Sequence, residues 1–162
     1  MRPDDWPTVR AIYQQGIESG TATFETTAPG WDEWDANHLT ACRLVARRNG
    51  DLPEGQVIGW AALSPVSRRK AYEGLAEVSI YIACEARGQG VGRALLEALI
   101  VESEKVGVWT LQATIFAINN ASRALHLACG FREVGRRERI ARRDGVWQDT
   151  VILERRSSVV GD

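Results

Sequence analysis

Three glycines at alternate positions precede an amphipathic helix in the stretch 85–100, which reads EARGQGVGRALLEALI. Glycine has no Cβ atom, so the backbone N–H groups of such a loop can come close to an anion. The positive end of the helix dipole lies at the same place and attracts negative charge. The stretch therefore indicates a binding site for a phosphate or pyrophosphate group.

Two common nucleotide-binding signatures do not match this loop. A P-loop ends in Gly-Lys followed by Ser or Thr, whereas here Gly92 is followed by Arg93 and Ala94. A dinucleotide-binding fold needs Gly-x-Gly-x-x-Gly and an acidic residue about 20 residues further on, where this chain has the uncharged run 110–112. The strands predicted before the loop also follow one another directly, without the helices of βαβ units.

The apolar pattern predicts a mixed order of elements around this loop: helix, helix, three strands, helix, strand, helix and two strands. The first helix begins at a cap, Asp4 or Asp5, and ends at Gly20, and the helix after the glycines ends near Gly107. The other predicted segments are a helix at 31–42, strands at 43–48, 56–64, 75–83 and 109–116, a helix at 119–130, and hairpin turns at 49–55 and 142–147.

Composition and charge favour one soluble domain. The chain has 162 residues, 44% of them hydrophobic, which suits one core and leaves no room for a second domain. A net charge of −1 gives no general attraction to nucleic acid or an anionic membrane, and no apolar run approaches the roughly 20 residues of a membrane span. The three cysteines lack CxxC spacing, which predicts neither disulfides nor a metal site. We expect a cytoplasmic protein with one domain over 1–154 and a frayed tail over 155–162.

The glycine stretch resembles the pyrophosphate-binding signature of the GCN5-related N-acetyltransferases (GNAT), whose cofactor is acetyl-CoA. The matching residues are Arg87, Gly90 and Gly92, in the spacing Arg-x-x-Gly-x-Gly. The second half of that family's pattern follows at the family's intervals, in Asn119, Ser122, His126, Gly130 and Phe131. His126 stands where the family usually has a tyrosine.

That histidine and four further segments resemble the phosphinothricin acetyltransferase branch, which includes related amino-acid N-acetyltransferases. The segments are TATFE (21–25), RKAY (69–72), AEVSIYI (76–82) and DGVWQD (144–149), and the resemblance extends over 4–153. It implies a homodimer of the α+β GNAT fold, with a twisted, mixed but mostly antiparallel sheet and about four flanking helices. Only MRP precedes the first helix, so we expect the first strand of that fold to be short or absent.

The resemblance also implies which residues hold acetyl-CoA, the one cofactor expected, with no metal. The loop would bind the pyrophosphate through backbone N–H groups, and a strand would offer backbone groups to the pantetheine arm, which would act almost as an added strand. The residues are Gly88, Gln89, Gly90, Val91, Gly92 and Arg93 in the loop, Ile80, Tyr81 and Ile82 in the strand, and Asn119 for the arm.

Two ionisable residues are assigned to catalysis with the help of the same resemblance. Acetyl transfer needs a neutral amine, so a general base is useful at neutral pH. Glu77, within an otherwise apolar strand, is assigned as that base, directly or through a water molecule; the alternative is a solvent-facing or salt-bridged glutamate. His126 would protonate the leaving thiolate or position the amine, with a structural role as the alternative.

Four residues are predicted to contact the acceptor, and for Arg69 and Trp147 this is what the resemblance implies. Arg69 would pair with an acceptor carboxylate through two hydrogen bonds, with a solvated loop as the equal alternative. Phe24 and Tyr72 would line the side-chain pocket or belong to the core, and Trp147 would close the pocket from a neighbouring subunit.

The leading prediction is an N-acetyltransferase for a small amino acid or analogue such as phosphinothricin or methionine sulfoximine. A protein N-terminal or lysine acetyltransferase would need an open peptide groove, whereas the segments 21–26 and 67–72 resemble a closing pocket. A non-catalytic acyl-CoA-binding sensor would keep the glycine loop without needing both Glu77 and His126.

Overall fold

The computed structural model describes residues 1–49 and 55–161, and within them has four α-helices and six β-strands. The helices are α1 (Trp6–Glu18), α2 (Trp31–Asn37), α3 (Val91–Lys105) and α4 (Asn120–Ala128). The strands are β1 (Leu44–Arg48), β2 (Gln56–Pro65), β3 (Leu75–Ile82), β4 (Thr110–Phe116), β5 (Arg132–Arg143) and β6 (Val146–Arg156). No helix in the described part of the chain combines the length and the apolar character needed to cross a membrane. The hairpin turn predicted at 49–55 falls mostly outside the described residues.

The six strands form one sheet in the order β1, β2, β3, β4, β6, β5. All neighbours are antiparallel except β3 and β4, which run parallel because α3 crosses between them. This confirms the predicted mixed, mostly antiparallel sheet with four helices. At one edge, β5 and β6 are joined by the two-residue turn of Asp144 and Gly145, whose φ values of 50° and 81° are those of a tight hairpin turn.

The parallel strands β3 and β4 pair over a short length and then diverge. Their pairing ends at Glu77 and Gln112, yet β3 continues to Ile82 and β4 to Phe116. Along this length β3 remains paired with β2, and β4 remains paired with β6. A gap therefore opens through the sheet beyond Glu77.

Alternate residues of each strand face opposite sides of the sheet. Odd-numbered residues of β3 face α1, where the ring centroids of Tyr81 and Tyr13 lie 4.7 Å apart. Even-numbered residues face α3, where Val78 joins a buried cluster with Leu95 and Leu99. The gap between β3 and β4 therefore connects two sides of the protein, here named the α1 face and the α3 face.

The N-terminal part of the chain differs from the prediction at α2. Before α1 the described residues contain a short 3₁₀ turn at Pro3–Asp5 and no strand, as expected. α2, however, ends at Asn37 and not at residue 42. His38 is already extended, with φ −117° and ψ 147°, and the Leu39 N–H donates to the carbonyl of Leu63 in β2 at 2.8 Å. A backbone partner in the sheet thus competes with continuation of the helix.

The C-terminal tail is a second difference. The sequence predicts a frayed segment over 155–162, whereas in the structure β6 extends to Arg156 and the Ser157 N–H donates to the Trp109 carbonyl at 2.8 Å. The Ser157 hydroxyl donates to the carboxylate of Glu104 at 2.9 Å, and Arg156 also donates to the Trp109 carbonyl, at 3.0 Å. These partners are distant in sequence, so no local pattern indicated them.

Candidate active site

A cleft of about 700 Å³ runs through the gap between β3 and β4. Its walls come from the glycine loop before α3, both diverging strands, the start of α4 and the loop 19–30, here named the α1–α2 loop. The predicted site residues that line the cleft are Phe24, Glu77, Ile80, Tyr81, Ile82, Gly88, Gly90, Val91, Gly92, Arg93, Asn119 and His126. Four other predicted residues, Arg69, Tyr72, Gln89 and Trp147, do not line it.

The glycine loop enters α3 through residues in the left-handed region. Gly90 is the N-cap of α3 with φ +79°, and Gly88 has φ +72°, values that residues with a side chain rarely adopt. A Cβ at either position would meet no atom within 4 Å, so the backbone conformation explains these glycines and the space above them is open. At Gly92 a Cβ would lie 3.2 Å from Leu125, so this glycine allows α3 to pack closely against α4.

The start of α3 carries the N–H groups that an anion would use. The first bond of the helix joins the Ala94 N–H to the Gly90 carbonyl at 3.1 Å, so the N–H groups of Val91, Gly92 and Arg93 precede it. Gly90 has no side chain to cap them. The positive end of a 15-residue helix thus meets the cleft, which fits a pyrophosphate group.

Two polar side chains of the loop are engaged along its outer edge. Gln89 donates to the Glu85 carbonyl at 2.8 Å and accepts a hydrogen bond from Arg48 at 3.1 Å. Arg93 pairs with Glu97, one turn further along α3, at 2.8 Å. The side chain of Gln89 is therefore directed to protein partners, which leaves its backbone for the contact predicted from the sequence.

Ile80, Tyr81 and Ile82 form the β3 wall of the cleft. β2 covers one edge of this part of β3, and the other edge faces the gap because β4 has diverged. The Ile82 carbonyl accepts a hydrogen bond from Arg87 at 3.2 Å. The rest of this edge has the geometry to pair with an extended ligand, as an added strand would.

Glu77 lies on the α1 face at the point where the strands diverge. Its Oε2 accepts a hydrogen bond from Gln112 Nε2 at 2.7 Å, and its Oε1 accepts one from the Thr114 N–H at 2.6 Å. The carboxylate thus satisfies a β4 N–H group just beyond the last strand pair, which helps to hold the gap open. The two bonds also fix its direction, and each oxygen keeps a lone pair for a further donor. Glu77 is therefore held beside the cleft with the capacity to accept a proton.

His126 of α4 is 1% exposed. Its Nδ1 lies 2.8 Å from the Ser122 carbonyl, so this nitrogen carries the hydrogen. Burial lowers the pKa of His126, so the ring is neutral at pH 7 and its Nε2 has a lone pair. That Nε2 is buried without a hydrogen-bond partner among the described residues. In this state Nε2 can accept a hydrogen bond but has no proton to donate.

The burial of His126 predicts a loss of stability at mildly acidic pH. Below about pH 6.5 the unfolded chain binds a proton at His126 that the native protein does not bind, so the free energy of unfolding falls. Burial lowers the pKa of His38 as well, which adds to the effect. The melting temperature should therefore be lower at about pH 5.5 than at about pH 7.5. His126→Asn keeps a donor for the Ser122 carbonyl, and its melting temperature should fall less over this pH range. An equal fall in the two proteins would contradict the conclusion that His126 is buried and neutral.

Asn119 joins α4 to the α1–α2 loop. Its side-chain oxygen caps α4 by accepting from the Ser122 N–H at 3.1 Å, and its Nδ2 donates to the Thr21 carbonyl at 3.1 Å. One amide hydrogen remains for the predicted contact with the cofactor arm. Further along the loop, Phe24 packs edge-on against Phe116 of β4, with 4.5 Å between ring centroids.

The aromatic wall behind Tyr81 was not predicted from the sequence. Tyr13 of α1 packs against this ring, and burial raises the pKa of both phenols, so both stay protonated at neutral pH. Gly16 makes the contact possible, because a Cβ there would lie 2.5 Å from Tyr81 Cδ1. A glycine inside a helix costs stability, so its presence in α1 was the available signal of a close approach.

Arg69, Tyr72 and Trp147 do not contribute to the cleft of a single chain. Arg69 and Tyr72 lie together in the exposed segment before β3, with 5.8 Å between the guanidinium carbon and the ring centroid. Trp147 follows the β5–β6 turn and is 48% exposed. Its ring centroid lies 4.3 Å from the Arg142 guanidinium carbon. Arg69 and Tyr72 therefore lie outside this cleft, and their contact with the acceptor stays a prediction. The role of Trp147 in a neighbouring subunit stays a prediction.

The glycine loop at the start of α3 and the held carboxylate of Glu77 on the other face line a single cleft. The chain matches the acetyltransferase (GNAT) family over residues 6–131. It belongs to that family and is an acetyltransferase.

The known proteins that are similar to this chain over most of its length include the following three. Phosphinothricin N-acetyltransferase of Alcaligenes faecalis is 39% identical, over 96% of this chain and 79% of that protein. L-methionine sulfoximine/L-methionine sulfone acetyltransferase of Pseudomonas aeruginosa is 29% identical, over 93% of this chain and 88% of that protein. The crystal structure of a phosphinothricin acetyltransferase from Sinorhizobium meliloti in complex with AcCoA is 33% identical, with a TM-score of 0.85 over 96% of this chain and 85% of that one.

Proposed function

We propose that the protein transfers the acetyl group of acetyl-CoA to the amino group of a small amino acid or analogue, of the phosphinothricin, methionine sulfoximine or methionine sulfone type. The observation that carries the proposal is the cleft through the sheet, with the glycine loop at one end and Glu77 where the gap begins. The activities named for the Alcaligenes and Pseudomonas relatives support an amino-acid analogue as acceptor. The AcCoA complex of the Sinorhizobium protein supports the co-substrate.

The two substrates would approach the gap from opposite faces. On the α3 face, the N–H groups at the start of α3 would hold the pyrophosphate, and the free edge of β3 at Ile80–Ile82 would pair with the pantetheine arm. Acetyl-CoA supplies a thioester whose carbonyl carbon is open to attack by an amine. On the α1 face, Glu77 and Phe24 would meet the acceptor.

Glu77 would act as the general base, directly or through a water molecule. The amine nitrogen forms a bond to the carbonyl carbon as the carbon–sulfur bond breaks, and the proton that the amine loses goes to Glu77. The leaving thiolate takes up a proton from water and becomes the free thiol of CoA, and Glu77 returns its proton to water. A neutral His126 with an unprotonated Nε2 is suited to accept a hydrogen bond in the cleft, which supports positioning of the amine over protonation of the thiolate.

We also infer a homodimer that forms through the β5–β6 hairpin. β5 is an edge strand, and an uncovered edge strand with apolar residues favours association with a second chain. The exposed apolar residues of this hairpin are Val134, Ile140, Val146 and Trp147, with 41–61% of each accessible. A second copy would cover them and bring Trp147 to the acceptor pocket.

The charges of the cleft also support a contribution from a second chain. The cationic residues that line the cleft, within the described residues, are Arg87, directly before the glycine loop, and Arg93, at its end. Glu25 and Glu77 line the α1 face. Among the described residues that line that face, none would therefore offer a cation to the carboxylate of an amino-acid acceptor.

Light scattering should show a dimer at the concentration used for activity measurements. Trp147→Glu should weaken the dimer and lower activity, because a charge would be buried in the proposed contact. Val101→Glu is the matched control, since Val101 is 52% exposed on α3 and lies outside the hairpin. A wild-type monomer with full activity would exclude this assembly.

The acceptor class is tested by release of free CoA from acetyl-CoA with a panel of amino acids and analogues. Phosphinothricin, methionine sulfoximine and methionine sulfone should give the fastest release, and peptides with a free N-terminus or an internal lysine should give little. Faster release with a peptide would favour a protein acetyltransferase. Tight binding of acetyl-CoA without turnover for any amine would favour an acyl-CoA sensor.

A further inference from the structure

The α1–α2 loop forms much of the α1 face of the cleft, yet it contains no helix or strand among its residues. Its cleft-lining residues are Ser19, Thr21, Ala22, Thr23, Phe24 and Glu25. A segment without regular structure needs partners elsewhere for its backbone groups, and it loses conformational entropy when it is held in place. The side chains that bind its carbonyl groups therefore decide the shape of this face.

Arg143, the last residue of β5, donates three hydrogen bonds to backbone carbonyls, two of them in this loop. Its Nη1 donates to the carbonyls of Thr23 and Glu25, the latter at 3.1 Å. Its Nη2 donates to the carbonyl of Ile17, at the end of α1, at 2.5 Å. The partners are 118 to 126 residues apart in sequence, so this one side chain connects the edge of the sheet to the loop.

The residue type and its position both suit this task. Arg143 pairs with Val146 across the two-residue turn, which fixes the base of the side chain. The side chain is 9% exposed, in a strand whose other residues are mostly exposed. A guanidinium has five N–H donors in a rigid fork and stays charged, so it can bridge several carbonyls, which a lysine ammonium cannot do with the same geometry.

The two loop carbonyls that Arg143 binds belong to the residues on either side of Phe24. We propose that Arg143 is a positioning residue that holds Phe24 and its neighbours over the α1 face and thereby sets the affinity for the acceptor. The identity of the acceptor rests on the function proposed above. The α3 face is formed by other residues, so loss of Arg143 should affect the two substrates unequally.

Steady-state kinetics of Arg143→Gln and Arg143→Lys test this separation. In Arg143→Gln the KM for the acceptor should rise about 10-fold or more, the scale of losing hydrogen bonds from a charged donor, while the KM for acetyl-CoA stays within about twofold. Arg143→Lys keeps the charge and should recover part of the loss. Arg132→Gln is the matched control, because Arg132 is an exposed residue of the same strand paired with Glu154. An unchanged KM for the acceptor, or an equal rise in both KM values, would overturn the proposal.

Hydrogen exchange gives a second readout that needs no acceptor. In Arg143→Gln the amides of 19–26 should exchange faster and chymotrypsin should cleave after Phe24 more readily, while the amides of β3 exchange as in the wild type. Unchanged exchange rates of the amides of 19–26 would contradict the proposal that Arg143 holds the loop. If the wild-type protein acetylates no amino acid, the proposed function fails, and the exchange result still decides whether Arg143 holds the loop.

Discussion

Glu77→Gln should lower kcat by about 10²–10⁴-fold near neutral pH, the scale expected when a general base is lost. Glutamine preserves the shape of the side chain, and its carbonyl can still accept the hydrogen bond that the Thr114 N–H gives to Glu77. It cannot take up the proton of the amine. The affinity for acetyl-CoA should remain unchanged, because the proposed cofactor contacts lie in the glycine loop and along β3. Rate measurements with saturating substrates and calorimetric titration of acetyl-CoA check the two halves of this result.

The dependence of kcat on pH separates a base from a purely structural glutamate. The amino group of the acceptor becomes increasingly neutral as the pH rises toward its pKa, so a higher pH should restore part of the rate in Glu77→Gln and raise the wild-type rate less. Gln112→Met is the matched control: it removes the donor to Glu77 Oε2 but leaves the carboxylate, and should cost far less activity. A melting temperature lowered by Glu77→Gln with no recovery at high pH would indicate a structural role. Activity close to that of the wild type at about pH 7 would contradict the assignment of the base.

Gly90→Val should weaken the binding of acetyl-CoA about 10- to 100-fold, the scale of losing hydrogen bonds to a charged group. Gly90 has φ +79°, which valine adopts only with strain, and a side chain would occupy the open space over the N–H groups of α3. The valine should displace the loop or block access to its N–H groups, and the sheet and core should keep their structure. Calorimetric titration of acetyl-CoA measures the effect.

Gly107→Val gives a matched control for the backbone strain. Gly107 lies just beyond the other end of α3, with φ +81° and no atom within 4 Å of an added Cβ. Both variants should lose a similar amount of thermal stability, but only Gly90→Val should lose affinity for acetyl-CoA. Equal affinities in the two variants would contradict the assignment of the pyrophosphate site.

Local sequence patterns predicted the elements that carry the site. The glycine loop and α3 follow from glycines before an amphipathic repeat, and the hairpin follows from Asp144 and Gly145, because turn and helix signals are short-range. The strand that carries Glu77 was also predicted from alternation. What no pattern gave was the divergence of β3 from β4 at this residue, since parallel pairing joins segments that are distant along the chain.

Long-range partners account for most of the remaining differences. α2 ends early because Leu39 finds a partner in β2, and the tail is held because Ser157 finds Trp109 and Glu104. No sequence pattern distinguishes Arg143 from the other arginines of β5, whereas its three carbonyl partners do. Such contacts depend on the folded arrangement of distant segments, which spacing along the chain does not encode.

The most direct measurement of the proposed function compares a free amino-acid analogue with a peptide as acceptor. The N-acetylated product should be identified by mass spectrometry, and kcat/KM determined for methionine sulfoximine, phosphinothricin and a methionyl peptide under the same conditions. We predict N-acetylation of the analogues with kcat/KM at least about 100-fold above that of the peptide, because the α1–α2 loop lines the face where the acceptor is proposed to bind and we expect little space there for a longer chain. A higher kcat/KM for the peptide, or release of CoA without an acetylated amino acid, would contradict the account.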